Sequence, residues 1–277
     1  MKGLIFDIQR SSFVDGDGVR TTVFFKGCNL KCKWCHNPEG IKNYKEMLFY
    51  KSKCTGCGLC RKICQNNEKE CTLCGNCALI CPNDAKEICG KEYNTGELFE
   101  IIQRDKALYS QTGGGVTFSG GECMLQIDFL RSILEKCYEN GINTAVDTAG
   151  NVPFSYFEKI LPYVNTFLYD VKCIDEELHK EHTGVSNTLI LENLERLIKT
   201  GKRIVVRTPV IGGFNDTDKE LFRIFNYLKG KGIEKAELLP YHNMGAHKYE
   251  GLSLPFKEFA APSKDFMEKY KKVFSTV

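Results

Sequence analysis

The sequence predicts an α/β fold built on a parallel sheet and interrupted by a metal-folded insert. Three observations predict it. Short β-rich runs alternate with amphipathic helical stripes along most of the 277 residues, the pattern of a parallel sheet with crossover helices. The conspicuous polar residues each follow a predicted strand, so they converge on one end of that sheet. Eight cysteines crowd into Cys54 to Cys81 as two copies of one spacing and break the alternation there.

The elements follow in order. Thr21 to Lys26 is a β-rich run ending just before Cys28. Val116 to Phe118 leads into Ser119-Gly120-Gly121-Glu122. The preceding Gly113 to Gly115 lacks the Lys-Ser/Thr of a phosphate loop and reads as a flexible approach. Ile127, Leu130, Ile133, Leu134 and Cys137 recur at helical spacing, and Gly141 stops that helix. Ile142 to Val146 is a strand ending at Asp147 and Thr148. Pro153 to Ile160 starts a helix with proline in its first turn. Thr166 to Tyr169 is a strand ending near Asp170 and Lys172, which share a face. Leu191, Leu194, Leu197 and Ile198 form a helical stripe closed by Gly201. Arg203 to Val206 is a strand ending at Arg207. Leu221, Phe222, Phe225 and Leu228 make a last stripe, before a strand at Ala236 to Pro240 and then His242. An eight-unit barrel takes about 250 residues, and about 230 remain outside the insert. Six units therefore fit a partial barrel or an open doubly wound sheet.

Composition narrows the function classes. The apolar and charged fractions, 42% and 26%, are those of a soluble globular protein. A net charge of +3 without a basic block argues against nucleic acid. The start, Met-Lys-Gly-Leu-Ile-Phe-Asp, has no apolar core of a signal peptide, and no apolar run reaches the ~18 residues of a membrane span. A cytoplasmic protein is expected. In that reducing compartment fifteen cysteines point to metal or redox chemistry rather than disulfides, and such a thiol load suits an anaerobe.

The insert is placed at residues 47–90, leaving 1–46 and 91–277 as the main domain. Cys54, Cys57, Cys60 and Cys64 repeat as Cys71, Cys74, Cys77 and Cys81. Both sets read C-x2-C-x2-C-x3-C, the bacterial ferredoxin run, in which the fourth cysteine serves the other cluster. Cys54, Cys57, Cys60 and Cys81 then hold one cluster, and Cys64, Cys71, Cys74 and Cys77 the other. Pro82 follows the second set, whereas Gln65 follows the first. Two zinc knuckles are the competing reading, but zinc pairs are usually separated by a longer run. The segment is too short for a sizeable apolar core, so metal would fold it. Cys89, Cys123, Cys137 and Cys173 have no spacing partner and read as structural thiols.

Cys28, Cys32 and Cys35 lie in Gly27-Cys-Asn-Leu-Lys-Cys-Lys-Trp-Cys-His36. Three thiolates leave a metal site incomplete. Iron–sulfur clusters usually take four cysteines, so a cluster on three leaves one iron open. This C-x3-C-x-aromatic-C run, with Trp34 in the aromatic place, resembles the radical S-adenosylmethionine (SAM) enzymes. Asp15-Gly-Asp-Gly-Val-Arg20 before it, and Cys35-His-Asn-Pro38 after it, look like the activating enzymes of glycyl radical enzymes. The likeness runs from about Phe6 to about Lys248, across the insert.

The resemblance implies a partial (β/α)6, TIM-like barrel carrying a ferredoxin-like insert with two 4Fe–4S clusters. It implies three 4Fe–4S clusters in all, SAM, and a sodium or potassium ion near the SAM carboxylate. Gly120, Gly121 and Glu122 match the motif that approaches the SAM amino group; a first-turn acid is the plainer reading of Glu122. Asp147, Thr148 and Asp170 match the cation site, although strand-end acids can be simple turn residues. Arg207 and His242 match later SAM contacts, and Lys172, two residues from Asp170, is a basic group within reach of a ligand carboxylate. Trp34 reads as packing beside the cofactor, and His36 and Asn37 as support for the cluster loop. Asp15 and Arg20 match the stretch beside the partner's peptide, against a plain glycine-rich turn. The implied activity is that of an oxidoreductase. SAM is reductively cleaved, and the resulting 5′-deoxyadenosyl radical takes a hydrogen from a backbone glycine of a partner, for example a hydroxyproline or a glycerol/diol dehydratase. A flavodoxin or ferredoxin would donate the electron, the insert would relay or store it or else dock the partner, and the activase alone would be monomeric. The rival readings are a radical SAM enzyme with another substrate, disfavoured by the flanking motifs, and a ferredoxin-type carrier, which leaves the scaffold unexplained.

Overall fold

The computed structural model describes residues 1–66, 71–233 and 235–277. Among the described residues ten strands form two sheets. In chain order they are β1 (Lys2–Ser12), β2 (Arg20–Phe25), β3 (Glu46–Phe49), β4 (Lys86–Cys89), β5 (Lys91–Asn94), β6 (Gly115–Gly120), β7 (Thr144–Thr148), β8 (Thr166–Asp170), β9 (Arg203–Val210) and β10 (Lys235–Pro240). The main sheet runs β10-β9-β8-β7-β6-β2-β1-β5. From β2 through β10 its neighbours are all parallel, whereas β1 lies antiparallel between β2 and β5.

These six parallel strands are the six that the alternation predicts. Their order in space follows their order in sequence. A doubly wound sheet would reverse direction at a switch point, and none occurs, so the sheet is singly wound. β10 and β5 stand at its two edges, which leaves the curve open and is consistent with a partial barrel.

Strand alternation sorts the side chains. Val116, Phe118, Val146, Phe167, Tyr169, Ile204 and Val206 face outward and pack with Leu130, Ile133, Phe157, Leu194, Leu197, Leu221 and Leu228 of the helices. The intervening positions face inward. Ala145, Leu168 and Val205 make a small apolar cluster there. One step further along come Asp147, Asp170 and Arg207, with Asp170 and Glu237 both in register with Arg207. An apolar floor thus carries a charged layer toward the C-terminal strand ends.

The structure corrects several readings. The helix Asp218–Leu228 buries Leu221, Ile224 and Leu228, whereas Phe222 is 42% exposed and meets only the edge of Tyr270. Pro153 precedes the helix Phe154–Ile160 as its cap rather than sitting inside its first turn. Gly114 and Gly115 are tightly packed, where a Cβ would lie 1.9 Å from the Val19 and 2.0 Å from the Asn143 carbonyl oxygen, whereas Gly113 is exposed with open space around it. β1 and the C-terminal helix Lys264–Phe274 lie outside the elements that the sequence reading found.

β3 and β4 pair antiparallel from Glu46↔Cys89 to Phe49↔Lys86 in a sheet of their own. Two short helices, Leu59–Ile63 and Asn76–Leu79, each start from a left-handed glycine, Gly58 and Gly75, at equivalent places in the two cysteine sets. Residues 67–70, between the sets, lie outside the described residues. Leu48, Tyr50 and Cys89 pack against Phe6 and Leu252, and the chain rejoins the main sheet at β5. Among the described residues no helix is long and apolar enough to cross a membrane.

Candidate functional site

The run from Cys28 to Cys35 has no helix or strand of its own, so its shape is set from outside. Gly27 N donates to Gly40 O (2.8 Å) and Cys28 N to Ile41 O (2.9 Å). Lys31 N and Lys33 N donate to Thr183 O and His182 O at the end of the helix Glu176–Thr183. The Tyr249 hydroxyl donates to Cys35 O at 2.9 Å. Beneath the run, Trp34 packs on Phe214 at 4.6 Å between ring centroids, and more loosely on Phe259 and His182.

Cys28, Cys32 and Cys35 line one cavity of about 550 Å³, within the roughly 300–1,000 Å³ usual for a small-molecule site. Trp34, Gly120, Gly121, Asp147, Thr148, Asp170, Lys172, Arg207, His242 and Asp15 share its wall. The glycine turn brings backbone against the cysteine loop. A Cβ on Gly121 would lie 2.3 Å from Gly27 O and 2.5 Å from Gly40 O, and Gly120 has φ +124°. A side chain on Gly121 would have to move that loop, and one on Gly120 would strike the β2 backbone, 2.2 Å from Phe25 N.

Glu122 is buried and does not itself line the cavity. Its carboxylate accepts from the Thr148 hydroxyl (2.9 Å), Ala149 N (2.9 Å) and Met124 N (3.2 Å), and it is 1% exposed. Burial pushes this carboxyl up to about 7, against the pull of those three donors. The folded chain therefore holds a proton that the unfolded chain releases above the ordinary value of 4.5. This group's contribution to stability is fully present below about 4.5 and is lost as pH rises through about 7. Glu122→Gln is expected to remove that part of the pH dependence, about 3 kcal/mol between pH 4.5 and 8. Urea unfolding of both chains across this range checks it; identical slopes would contradict it.

The charged layer holds more acid than base. Asp147 accepts from Ser119 Oγ at 2.7 Å. Arg207 Nη1 lies 3.9 Å from Asp147 and 3.8 Å from Asp15, and its Nε 3.7 Å from Glu237. Arg207 Nη2 donates to Val14 O at 2.5 Å, while Nε is buried without a hydrogen-bond partner. Lys172 is ion-paired with Asp170. Burial pushes Asp147 up to about 6, with Asp170 and Asp15 adding and Arg207 opposing. Burial also disfavours the Lys172 ammonium, but Asp170 and Cys32 outweigh it and hold its pKa above the ordinary value. His242 is exposed and stacks on His36 at 4.2 Å.

Asp15 and Arg20, at the two ends of the motif, line different cavities. Asp15 faces the cavity, held by the hydroxyls of Ser12 (2.6 Å) and Thr22 (2.7 Å). Arg20 is 2% exposed and lines a second cavity of about 740 Å³. Its guanidinium donates to Thr117 Oγ1, Val116 O and Asn143 Oδ1. This second chamber runs over the apolar floor of Ala145, Leu168 and Val205, and adjoins the first at Val14 and Leu239. Sequence reasoning missed Glu237 and Ser119. Both were within reach of it, since Glu237 is an inward position on a predicted strand and Ser119 opens the glycine turn.

In the insert, Cys54, Cys57, Cys60 and Cys81 line one small cavity with Phe49 and Pro82. Of the other set, Cys71 and Cys74 are exposed and Cys64 and Cys77 half-buried. All fifteen cysteines are free thiols. Among the described residues, no three His, Cys, Asp or Glu side chains converge closely enough to hold a metal ion. The donor chemistry still fits iron: three soft thiols share one wall, and such sets favour iron–sulfur clusters or zinc.

The family model described as the Radical SAM superfamily matches residues 22–225. The trans-4-hydroxy-L-proline dehydratase activating enzyme of Clostridioides difficile is 40% identical, covering 99% of this chain and 96% of that protein. The choline trimethylamine-lyase activating enzyme of Oleidesulfovibrio alaskensis is also 40% identical, over 91% of this chain and 87% of that one. A crystal structure of a domain of pyruvate-formate lyase-activating enzyme from Bacteroides vulgatus superposes with a TM-score of 0.50 at 29% identity, covering 58% of this chain and 93% of the domain.

Proposed function

The chain belongs to the radical SAM superfamily, among the activating enzymes of glycyl radical enzymes, and we propose that Cys28, Cys32 and Cys35 hold its catalytic iron–sulfur cluster. The observation that carries this reading is the common wall. Three thiols, Asp147, Asp170, Lys172, Arg207 and His242 face one cavity of ligand size. Together with SAM, the bound cluster supplies the one-electron cleavage that yields the hydrogen-abstracting radical; the residues of this chain bind, orient and exclude.

Each residue has a definable part. Without metal, burial pushes the Cys28 and Cys35 thiols up to about 12 and raises Cys32. Ligation must therefore release their protons. Gly120 and Gly121 let the backbone approach the ligand. Glu122 fixes the turn at Thr148 and Ala149 from behind the wall. Four carboxylates, Asp15, Asp147, Asp170 and Glu237, face two cations, Lys172 and Arg207. A ligand carboxylate entering that layer needs further positive charge, which suits a sodium or potassium ion beside Asp147, Thr148 and Asp170. Asp15 and the second chamber suit the partner's glycine-bearing segment. Arg20 holds the loop above it, its donors being committed to Thr117, Val116 and Asn143. The insert, residues 47–90, suits two further 4Fe–4S clusters on the eight cysteines, relaying electrons from a flavodoxin or ferredoxin. Cys54, Cys57, Cys60 and Cys81 on one cavity support the crossed pairing of the two sets.

The partner is proposed to be a dehydratase. Support comes from the hydroxyproline dehydratase activating enzyme, whose likeness spans nearly the whole of both chains. The reduced, reconstituted protein and SAM, mixed anaerobically with separately purified hydroxyproline dehydratase, choline lyase and 4-hydroxyphenylacetate decarboxylase, test this. The glycyl radical signal is expected at least tenfold stronger in the dehydratase. A radical confined to the lyase or the decarboxylase would overturn the assignment.

A further inference from the structure

The short helix Ala246–Gly251 lies outside every motif that the sequence reading used as far as chemistry is concerned, yet it touches both the cysteine loop and the insert. On one side, the Tyr249 hydroxyl donates to Cys35 O (2.9 Å). Lys248 Nζ donates to Asn37 Oδ1 (2.7 Å) and pairs with Glu39 at 2.6 Å. Gly245, at the start of the helix, is pressed onto His36, where a Cβ would lie 2.8 Å from its carbonyl oxygen.

On the other side the same helix meets the insert. The Glu250 carboxylate accepts from both Ser52 N (2.8 Å) and Ser52 Oγ (3.0 Å), two residues before Cys54. A Cβ on Gly251 would lie 2.7 Å from the Tyr50 ring, and Leu252 joins the Leu48, Tyr50 and Cys89 cluster. Glu39 closes a second path. Its backbone oxygen accepts from buried Lys26, which pairs with Glu46 of β3 at 3.1 Å.

We propose that the helix Ala246–Gly251 is a bridge that fixes the insert relative to the three-cysteine loop, with Tyr249 and Lys248 as the loop-side positioning residues and Glu250 and Gly251 as the insert-side ones. The inference rests on the reading of the insert as an electron relay, and gives that relay its geometry. Donor and acceptor sites must stay at a fixed separation for transfer to be fast. A module with so little apolar core of its own needs an outside brace to hold it. Polar bonds on one side and close backbone packing on the other make the brace two-ended, so a change at either end is felt at both.

Hydrogen exchange on the full-length protein tests the bridge without any assay of activity. Gly251→Val, which displaces Tyr50, is expected to raise amide exchange at residues 33–37 about tenfold. Tyr249→Phe is expected to raise exchange at residues 50–53. The double variant should be no worse than the more severe single one, because two cuts in one strut do not add. Faster exchange only beside each substitution, or additive effects, would overturn the bridge. Should Gly251→Val fail to fold, Glu250→Ala makes the milder cut, and Glu250→Gln, which still accepts from Ser52, should restore the native pattern. Freeze-quench EPR of the reconstituted protein examines the relay separately. Cys57→Ala should slow reduction of the three-cysteine cluster by a protein donor at least tenfold, and Gly251→Val should do the same. An unchanged rate in Cys57→Ala would overturn the relay and the bridge's role in it. Slowing in Cys57→Ala alone would overturn the bridge and leave the relay standing.

Discussion

Cys32→Ala is expected to abolish glycyl radical formation in the partner and SAM cleavage together, with no residual rate above background. Cys32 lies between the other two thiols in sequence, and its carbonyl oxygen accepts from Cys35 N at 3.1 Å, a backbone bond that alanine keeps along with the loop's outside supports. Two thiolates hold a cluster that usually takes four ligands far less well than three do. The fold should survive, because the loop is tied at Gly40, Ile41, Thr183, His182 and Tyr249, none of which the substitution touches. Iron analysis, circular dichroism and the EPR of the partner check this. Full radical formation by Cys32→Ala would contradict the assignment of the catalytic cluster.

Arg207→Met is expected to cost about 3 kcal/mol of stability at pH 8, because removing one partner from a buried charged group leaves the others uncompensated. Arg207 is 5% exposed and is the cation that Asp15, Asp147 and Glu237 share. The loss should shrink at low pH. Asp147 is already pushed up to about 6 by burial while Arg207 opposes, so without the arginine it protonates more readily still. The extra cost is therefore fully present only above the raised value that Asp147 takes in the variant, and fades as pH falls toward about 6. SAM binding, measured by equilibrium dialysis of the reconstituted protein, should weaken at least a hundredfold. Equal destabilisation at pH 5 and pH 8 would show that lost packing, not lost charge, is the cause.

Much of the scaffold was legible because strands in a parallel sheet announce themselves by apolar runs and by the helical stripes between them. The positions of Asp147, Asp170 and Arg207 were legible for the same reason, since each follows a strand whose alternation sets its face. β1 was not. Its register with β2 shifts between Ile5 and Asp7 and again between Gln9 and Ser12, and bulges of this kind break a period of two. The C-terminal helix was missed because it is mostly charged and buries only Met267, Tyr270 and Phe274. Phe222 misled because a helical stripe of four apolar residues is wider than the face that the sheet covers. The direction of the Glu122 side chain depends on Thr148 and Ala149, which follow a different strand. The link between Arg20 and the Asp15 backbone runs through Thr117, whose hydroxyl accepts from Arg20 and donates to Asp15 O. Neither relation has a signature in local spacing.

The measurement that tests the account most directly is anaerobic iron and sulfide analysis with EPR of the reduced, reconstituted protein, with and without SAM. About twelve irons per chain are expected, four for each of three clusters, with one cluster signal that changes when SAM is added. About eight irons with no SAM-sensitive signal would leave only the clusters of the insert, and would contradict a catalytic cluster on Cys28, Cys32 and Cys35.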